Sequence, residues 1–204
     1  ENLGPGLKTT IEFMAPYVSR RSSLSDLIAM GVYTSVRACG GPPVAVRAGR
    51  KDATTKGNTG VPQPGNSPLM FEQQFDRMGF SVEEMIQVTA CGHTLGGVHS
   101  EQFPDIVLPG TGTDGQIELD SSRAVFDNKV VTEYLDGSTK NPLVVGPAVK
   151  ISKHADFKVY NSDGNATMET LSDPQVFRNT CQTVLQKMIE VVPPGVTLTD
   201  VITP

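Results

Sequence analysis

His93 lies in the run Ser81-Val-Glu-Glu-Met-Ile-Gln-Val-Thr-Ala-Cys-Gly-His93-Thr-Leu-Gly-Gly-Val-His99, in which bulky side chains stop short of the imidazole. The spacing predicts a helix from Ser81 to Val98. A capping box of Ser81 with Glu84 opens it, and Met85, Ile86 and Val88 supply an apolar face. In such a helix the positions three and four from His93 are Ala90, Thr89, Gly96 and Gly97, all small, so a broad flat group could rest against the ring. An axial histidine of a haem needs that kind of surface. Glycines near a helix end cost about 1 kcal/mol each relative to alanine, a cost that calls for a packing or functional reason. A fraying, glycine-rich helix end with a solvated histidine is the plainer alternative, and spacing alone leaves both open.

The elements that must position His93 read as mainly helical, with long irregular loops and little β. Leu7 to Val18 and Leu24 to Cys39 are predicted helices, the second capped by Ser22 or Ser23. Pro42 to Pro68 is a long loop rich in Gly, Pro, Thr and Asn, extended over Ala45 to Arg50. A short helix runs from Pro68 to Met78. Glu101 to Ser122 is irregular, with a small hairpin at Gly112 to Gly115. Val125 to Leu135 is helical and Gly137 ends it. Asp173-Pro174 forms a cap and first-turn pair for a helix through Ile189, after which residues 191–204 form an extended tail. There are no internal repeats.

Composition limits the partners. The 204 residues suit one domain or most of one, and 38% hydrophobic content supports a core. A formal net charge of -5 argues against nucleic acid or an anionic membrane as partner. No apolar run approaches the roughly 18 residues of a membrane helix. Three cysteines leave at least one without an internal partner. Cys91 reads as a small buried apolar residue, and the odd count invites a bridge from one cysteine to another polypeptide segment. Asn165-Ala-Thr167 is an acceptor sequon for N-glycosylation. Tyr33, Tyr134 and Tyr160 could in principle hold a radical, but in helical stretches they read first as core residues with satisfied hydroxyls.

Four blocks, in order, resemble the plant, fungal and bacterial haem peroxidases. They are Gly40-Gly-Pro-Pro-Val-Ala-Val-Arg-Ala-Gly49-Arg-Lys-Asp52 with Leu24-Ser-Asp-Leu-Ile-Ala-Met before it, Cys91-Gly-His93-Thr-Leu-Gly-Gly-Val-His99, Val125-Phe-Asp-Asn-Lys, and Ala155-Asp156-Phe. The end of the chain, Val-Pro-Pro-Gly-Val-Thr-Leu-Thr-Asp200, is most similar to secreted fungal members. The resemblance runs from about Leu7 to Asp200. It implies the proximal part of a single haem peroxidase domain over 1–204. The function implied is a peroxidase that uses hydrogen peroxide to oxidise small reducing substrates at the edge of haem b. Secretion follows from the same likeness.

The resemblance assigns roles residue by residue. His93 matches the proximal iron ligand and Asp156 the carboxylate that accepts from its other ring nitrogen, releasing electron density to the metal. Read alone, Asp156 is an ordinary turn carboxylate. His99 matches a residue that hydrogen-bonds a haem propionate, and Pro42 one that lines the haem edge. Thr94, Asp120, Ser122, Val125 and Asp127 match a proximal calcium site, with potassium as the alternative cation. Carboxylates, hydroxyls and a carbonyl are hard oxygen ligands suited to either. Without the family, Asp120-Ser-Ser is a helix cap.

The likeness is incomplete in ways that matter. The family's distal Arg and His, which cleave peroxide, have no match, since the three histidines are His93, His99 and His154. The expectation is that an N-terminal polypeptide of the same protein, before residue 1, carries the distal side. A haem-binding relative without peroxide turnover is the alternative, and a non-haem binding module a weaker one. The chain has no tryptophan, and Leu119 stands where many relatives place an aromatic against the proximal histidine. Tryptophan-based oxidation is therefore not expected from this part.

Overall fold

The computed structural model describes residues 5–57 and 59–202. Residues 1–4 of the expected domain and 203–204 of the expected tail lie outside the described residues. In chain order the elements are α1 (Pro5–Met14), a 3-10 turn (Ala15–Tyr17), α2 (Leu24–Ala38), α3 (Pro68–Asp76), α4 (Val82–His93), β1 (Gly97–His99), β2 (Gln116–Glu118), α5 (Lys129–Asp136), α6 (Pro147–Lys150), α7 (Ala155–Tyr160), α8 (Ala166–Leu171) and α9 (Pro174–Glu190). The protein is mainly α, as its sequence implies.

Side-chain caps start the longer helices. Ser23, Ser67 and Ser81 each accept from the backbone N–H three residues on, satisfying a donor that would otherwise lack a helical partner. Ser81 and Glu84 complete a reciprocal capping box. Asp173 accepts from the N–H groups of Gln175 and Val176, with Pro174 in the first turn of α9. The helix expected from Leu7 to Val18 instead gives way to the 3-10 turn at Ala15. Pro16 has no N–H to continue the ladder.

The core forms where α4 lies on α9. Met85, Ile86, Val88, Ala90 and Cys91 of α4 are buried against Phe177, Cys181, Val184, Leu185 and Ile189 of α9. The α9 positions recur at helical spacing and make one apolar stripe. Cys91 and Cys181 are joined in a disulfide with Cα atoms 5.4 Å apart. Cys91 is therefore a bridge partner and not simply a small buried residue, and Cys39 is the free thiol.

The helix expected to continue to Val98 stops at His93. Gly96 takes φ +90° and turns the chain out of the helix. The chain then pairs antiparallel as β1 with β2, Gly97 opposite Glu118 and His99 opposite Gln116. A Cβ on Gly97 would come within 2.4 Å of the Ile117 carbonyl oxygen, so this glycine admits the partner strand. The small hairpin expected at 112–115 is present, with Thr113 bridged to Gln116. Ile106, Val107, Leu119, Leu143 and Ala148 form a second apolar cluster beside this ribbon.

Helix α5 begins at Lys129, later than the expected Val125. Residues 125–127 are held elsewhere: the Phe126 N–H donates to the Cys39 carbonyl at 2.8 Å, and Asp127 Oδ1 accepts from the Lys129 N–H at 2.9 Å. Beyond α9 the chain docks on the 45–50 segment, with Arg47 bridged to Val201 and the Ile202 N–H donating to the Val46 carbonyl.

Candidate functional site

His93 is the last residue of α4, and Asp156 lies in the first turn of α7. Packing of α4 on α7 brings His93 Nδ1 to 2.8 Å from Asp156 Oδ2. The carboxylate is 1% exposed. Two further groups donate to the same oxygen: Asn141 Nδ2 at 2.8 Å and the Tyr160 hydroxyl at 3.3 Å. Asn141 is itself fixed, its N–H donating to Thr139 Oγ1 and its Oδ1 accepting from the Leu143 N–H. Three hydrogen bonds converge on one oxygen of this buried carboxylate and hold it in place.

The His93 imidazole pKa is raised. Burial, the largest single influence, disfavours the charged ring, but the Coulombic pull of Asp156 and its hydrogen bond together outweigh it. With Nδ1 committed to Asp156, Nε2 is the nitrogen left for a metal. The His93 side chain is 35% exposed and lines an apolar recess of about 220 Å³ with Pro62, Pro64, Phe71, Thr89 and Leu143. An imidazole with one nitrogen anchored to a buried carboxylate, opening on an apolar recess, fits the axial ligand of a haem. Lys158 ties down one wall, its ammonium donating to the carbonyls of Asn66 (2.8 Å) and Ser152 (2.6 Å).

The glycines expected to make a flat face at i+3 and i+4 do not do so, because the helix has ended. Thr89, at i−4, does line the recess. His99 is exposed on β1. Pro42 is buried, and the prolines at the recess are Pro62 and Pro64. Leu119 is buried in the second cluster.

The proposed cation ligands largely converge. Thr94, the C-cap of α4, donates through Oγ1 to the Asp127 carbonyl at 2.7 Å and lies 3.2 Å from Asp120 Oδ2. Ser122 Oγ donates to Asp127 Oδ1 at 2.9 Å and is 3.3 Å from Asp120 Oδ1. The Val125 N–H donates to the Ser122 carbonyl across a turn in which Ala124 takes φ +59°. The Asp120 pKa is raised from 3.8 to about 6, first by burial and then by the charge of Asp127, against the opposing hydrogen bond from the Ser122 N–H. A buried carboxylate beside a second one, with two hydroxyls between them, fits a hard cation. Among the described residues no cluster of three or more His, Cys, Asp and Glu side chains could hold a metal; this site combines two carboxylates with neutral oxygens.

Sequence reasoning missed Asn141, which no local pattern marks. The Asp156–Tyr160 contact had a signal, because residues four apart share a helix face, but α7 is too short to show periodicity. The Asn165 sequon is folded into the structure: Asn165 Oδ1 accepts from the Tyr134 hydroxyl at 2.8 Å, and the Thr167 hydroxyl donates to Asp163.

The helical architecture and the half-buried histidine held to a buried carboxylate fit a haem peroxidase-like class, and the profile of the Peroxidase family matches residues 6–190. The chain belongs to the peroxidase family, a member of the haem peroxidase superfamily. It is 53% identical over its whole length to a WSC domain-containing protein of Arthroderma benhamiae, of which it covers 28%. It is 32% identical over 55% of its length to Peroxidase 2 of Oryza sativa, covering 36% of that protein. With the peroxisomal L-ascorbate peroxidase 5 of Arabidopsis thaliana it shares 28% identity over 66% of its length, covering 45% of that protein. The chain thus spans less than half the length of each of these relatives.

Proposed function

We propose that the chain is the proximal part of a haem peroxidase, with His93 as the iron ligand, hydrogen peroxide as oxidant and small reductants as substrates. The observation that carries this reading is the 2.8 Å hydrogen bond between His93 Nδ1 and the buried Asp156 carboxylate. Bound haem b would supply the redox chemistry. This chain's residues do the rest: Asp156 fixes the ring and its tautomer, Asn141 and Tyr160 fix Asp156, and the recess walls exclude water. His99 is assigned to a propionate and Pro42 to the haem edge. Thr94, Asp120, Ser122, Val125 and Asp127 are assigned to calcium or potassium, which would tie the end of α4 to the segment before α5.

The peroxide-cleaving Arg and His are assigned to an N-terminal polypeptide of the same protein. This is consistent with the chain covering 28–45% of its relatives' lengths. The Cys91–Cys181 disulfide suits an oxidising compartment and supports secretion. The test is His93→Ala in the full-length protein. The Soret band should be lost or strongly shifted and haem retention should fall. Stoichiometric haem with an unaltered band would refute the ligand assignment. A wild-type protein that binds haem but does not consume hydrogen peroxide would support the alternative, a haem-binding relative without turnover.

A further inference from the structure

One donor would be enough to fix the Asp156 carboxylate, yet its Oδ2 takes two besides His93: Asn141 Nδ2 at 2.8 Å and the Tyr160 hydroxyl at 3.3 Å. Asn141, Asp156 and Tyr160 are each at most 1% exposed, so water neither replaces a donor nor adds one. Asn141 is preset for this contact. Its Oδ1 accepts from the Leu143 N–H at 2.8 Å, and its own N–H donates to Thr139 Oγ1 at 3.1 Å. The Leu143 carbonyl accepts from the Phe157 N–H at 3.2 Å, which pins this turn to the helix that carries Asp156. With Oδ1 committed to an N–H, the amide has one orientation, and Nδ2 faces the carboxylate. Tyr160, four residues after Asp156, shares its helix face, and its hydroxyl must donate because an ionised carboxylate only accepts.

Donors that share one oxygen compete for its electron density. Each added donor stabilises the anion and makes it a weaker acceptor toward the next, and in a buried, low-dielectric site solvent does not average this away. The pull of Asp156 on the His93 N–H governs how much density the ring passes to a metal on Nε2. That pull is therefore weaker here than for a carboxylate bonded to the histidine alone. No proton changes place.

Building on the haem peroxidase reading, we propose that Asn141 and Tyr160 are positioning residues that moderate electron release from Asp156 through His93, holding the reduction potential of bound haem above the value a lone histidine–aspartate pair would set. Asn141 makes the larger contribution, because its bond is shorter and its side chain is locked by the turn. The direction of the effect separates this role from simple bracing. Residues that only braced Asp156 would, when removed, loosen it from His93 and raise the potential, the direction expected of Asp156→Asn. Removing a competing donor instead strengthens the His93–Asp156 bond and lowers the potential.

The test uses haem-loaded full-length protein and reads two properties other than turnover: the ferric–ferrous midpoint potential and the iron–histidine stretching frequency by resonance Raman spectroscopy. Tyr160→Phe keeps the ring and loses the hydroxyl. Asn141→Thr keeps an oxygen able to accept from the Leu143 N–H, and its shorter side chain ends before the position of Nδ2. The potential should fall in both variants, by roughly tenfold in the ferric–ferrous equilibrium for Asn141→Thr, about 59 mV for one electron, and by less for Tyr160→Phe. The stretching frequency should rise in both. A potential that rises or stays unchanged in Tyr160→Phe, with the Soret band retained, overturns the moderation and leaves the peroxidase reading standing. Where Asn141→Thr does not fold, Tyr160→Phe decides alone. Absence of a Soret band in the wild type overturns both.

Discussion

Neutralising Asp120 is the perturbation whose size the structure specifies. The fold resists its ionisation, chiefly through burial and then through the neighbouring charges of Asp127 and Glu133. Its pKa is 3.8 when unperturbed and about 6 in the fold. Between those values the metal-free folded chain holds a proton that the unfolded chain has released. Its contribution to stability is therefore complete below pH 3.8, falls as pH rises through the window, and is lost above about 6. The full change is about 3 kcal/mol, or roughly 6–12 °C in melting temperature for a chain of this size. Calcium reverses the dependence, because it binds the ionised carboxylate and displaces the proton. The assay is urea unfolding from pH 4 to 7.5, in EDTA and in millimolar calcium, for the wild type and for Asp120→Asn. Reading the difference between the two proteins cancels Asp26, Asp52 and Glu84, whose lowered pKa values act in the opposite direction. In EDTA the wild type should lose stability relative to Asp120→Asn as pH rises, and calcium should restore it only in the wild type. A flat difference in EDTA would refute the raised pKa, and equal wild-type curves with and without calcium would refute the cation site.

Asp156→Asn keeps the shape beside His93 and removes the charge. In the haem-free protein the His93 pKa should drop below 6.5, because the burial that disfavours the charged ring remains, a change followed by NMR titration. In the haem-loaded protein the reduction potential should rise; an unchanged potential would count against Asp156 as the partner. Cys181→Ser removes a bridge between residues 90 apart and should cost about 4.6 kcal/mol by the loop-entropy relation, measured as a lower urea midpoint with a steeper slope, because the released unfolded chain exposes more surface. No loss of stability would show that the bridge does not constrain the unfolded chain.

Local rules in the sequence determined the starts of the capped helices, because a cap is a contact within three residues: Ser81 with Glu84, Ser67 with Met70 and Asp173 with Val176 are all of this kind; α5, which has no side-chain cap, starts later than expected. The apolar repeat of α9 was equally legible, since a long helix repeats its buried face several times. The ends were harder. His93 closes α4 because Gly96 can turn and Gly97 can admit β2, and the pairing partner of β1 lies some twenty residues away in the chain. The short helices α6, α7 and α8 complete too few turns to show any period, so Asp156 read as a turn carboxylate unless matched to the family. What the sequence alone determined was therefore local: the starts of the capped helices, the apolar stripes, and the residue types a haem and a hard cation require. Tertiary packing alone brought Asn141 and Tyr160 to one oxygen of Asp156, paired Cys91 with Cys181, and buried Asp120 beside Asp127. Those contacts depend on how α4, α7 and α9 lie against one another, and no local spacing in the chain encodes that arrangement.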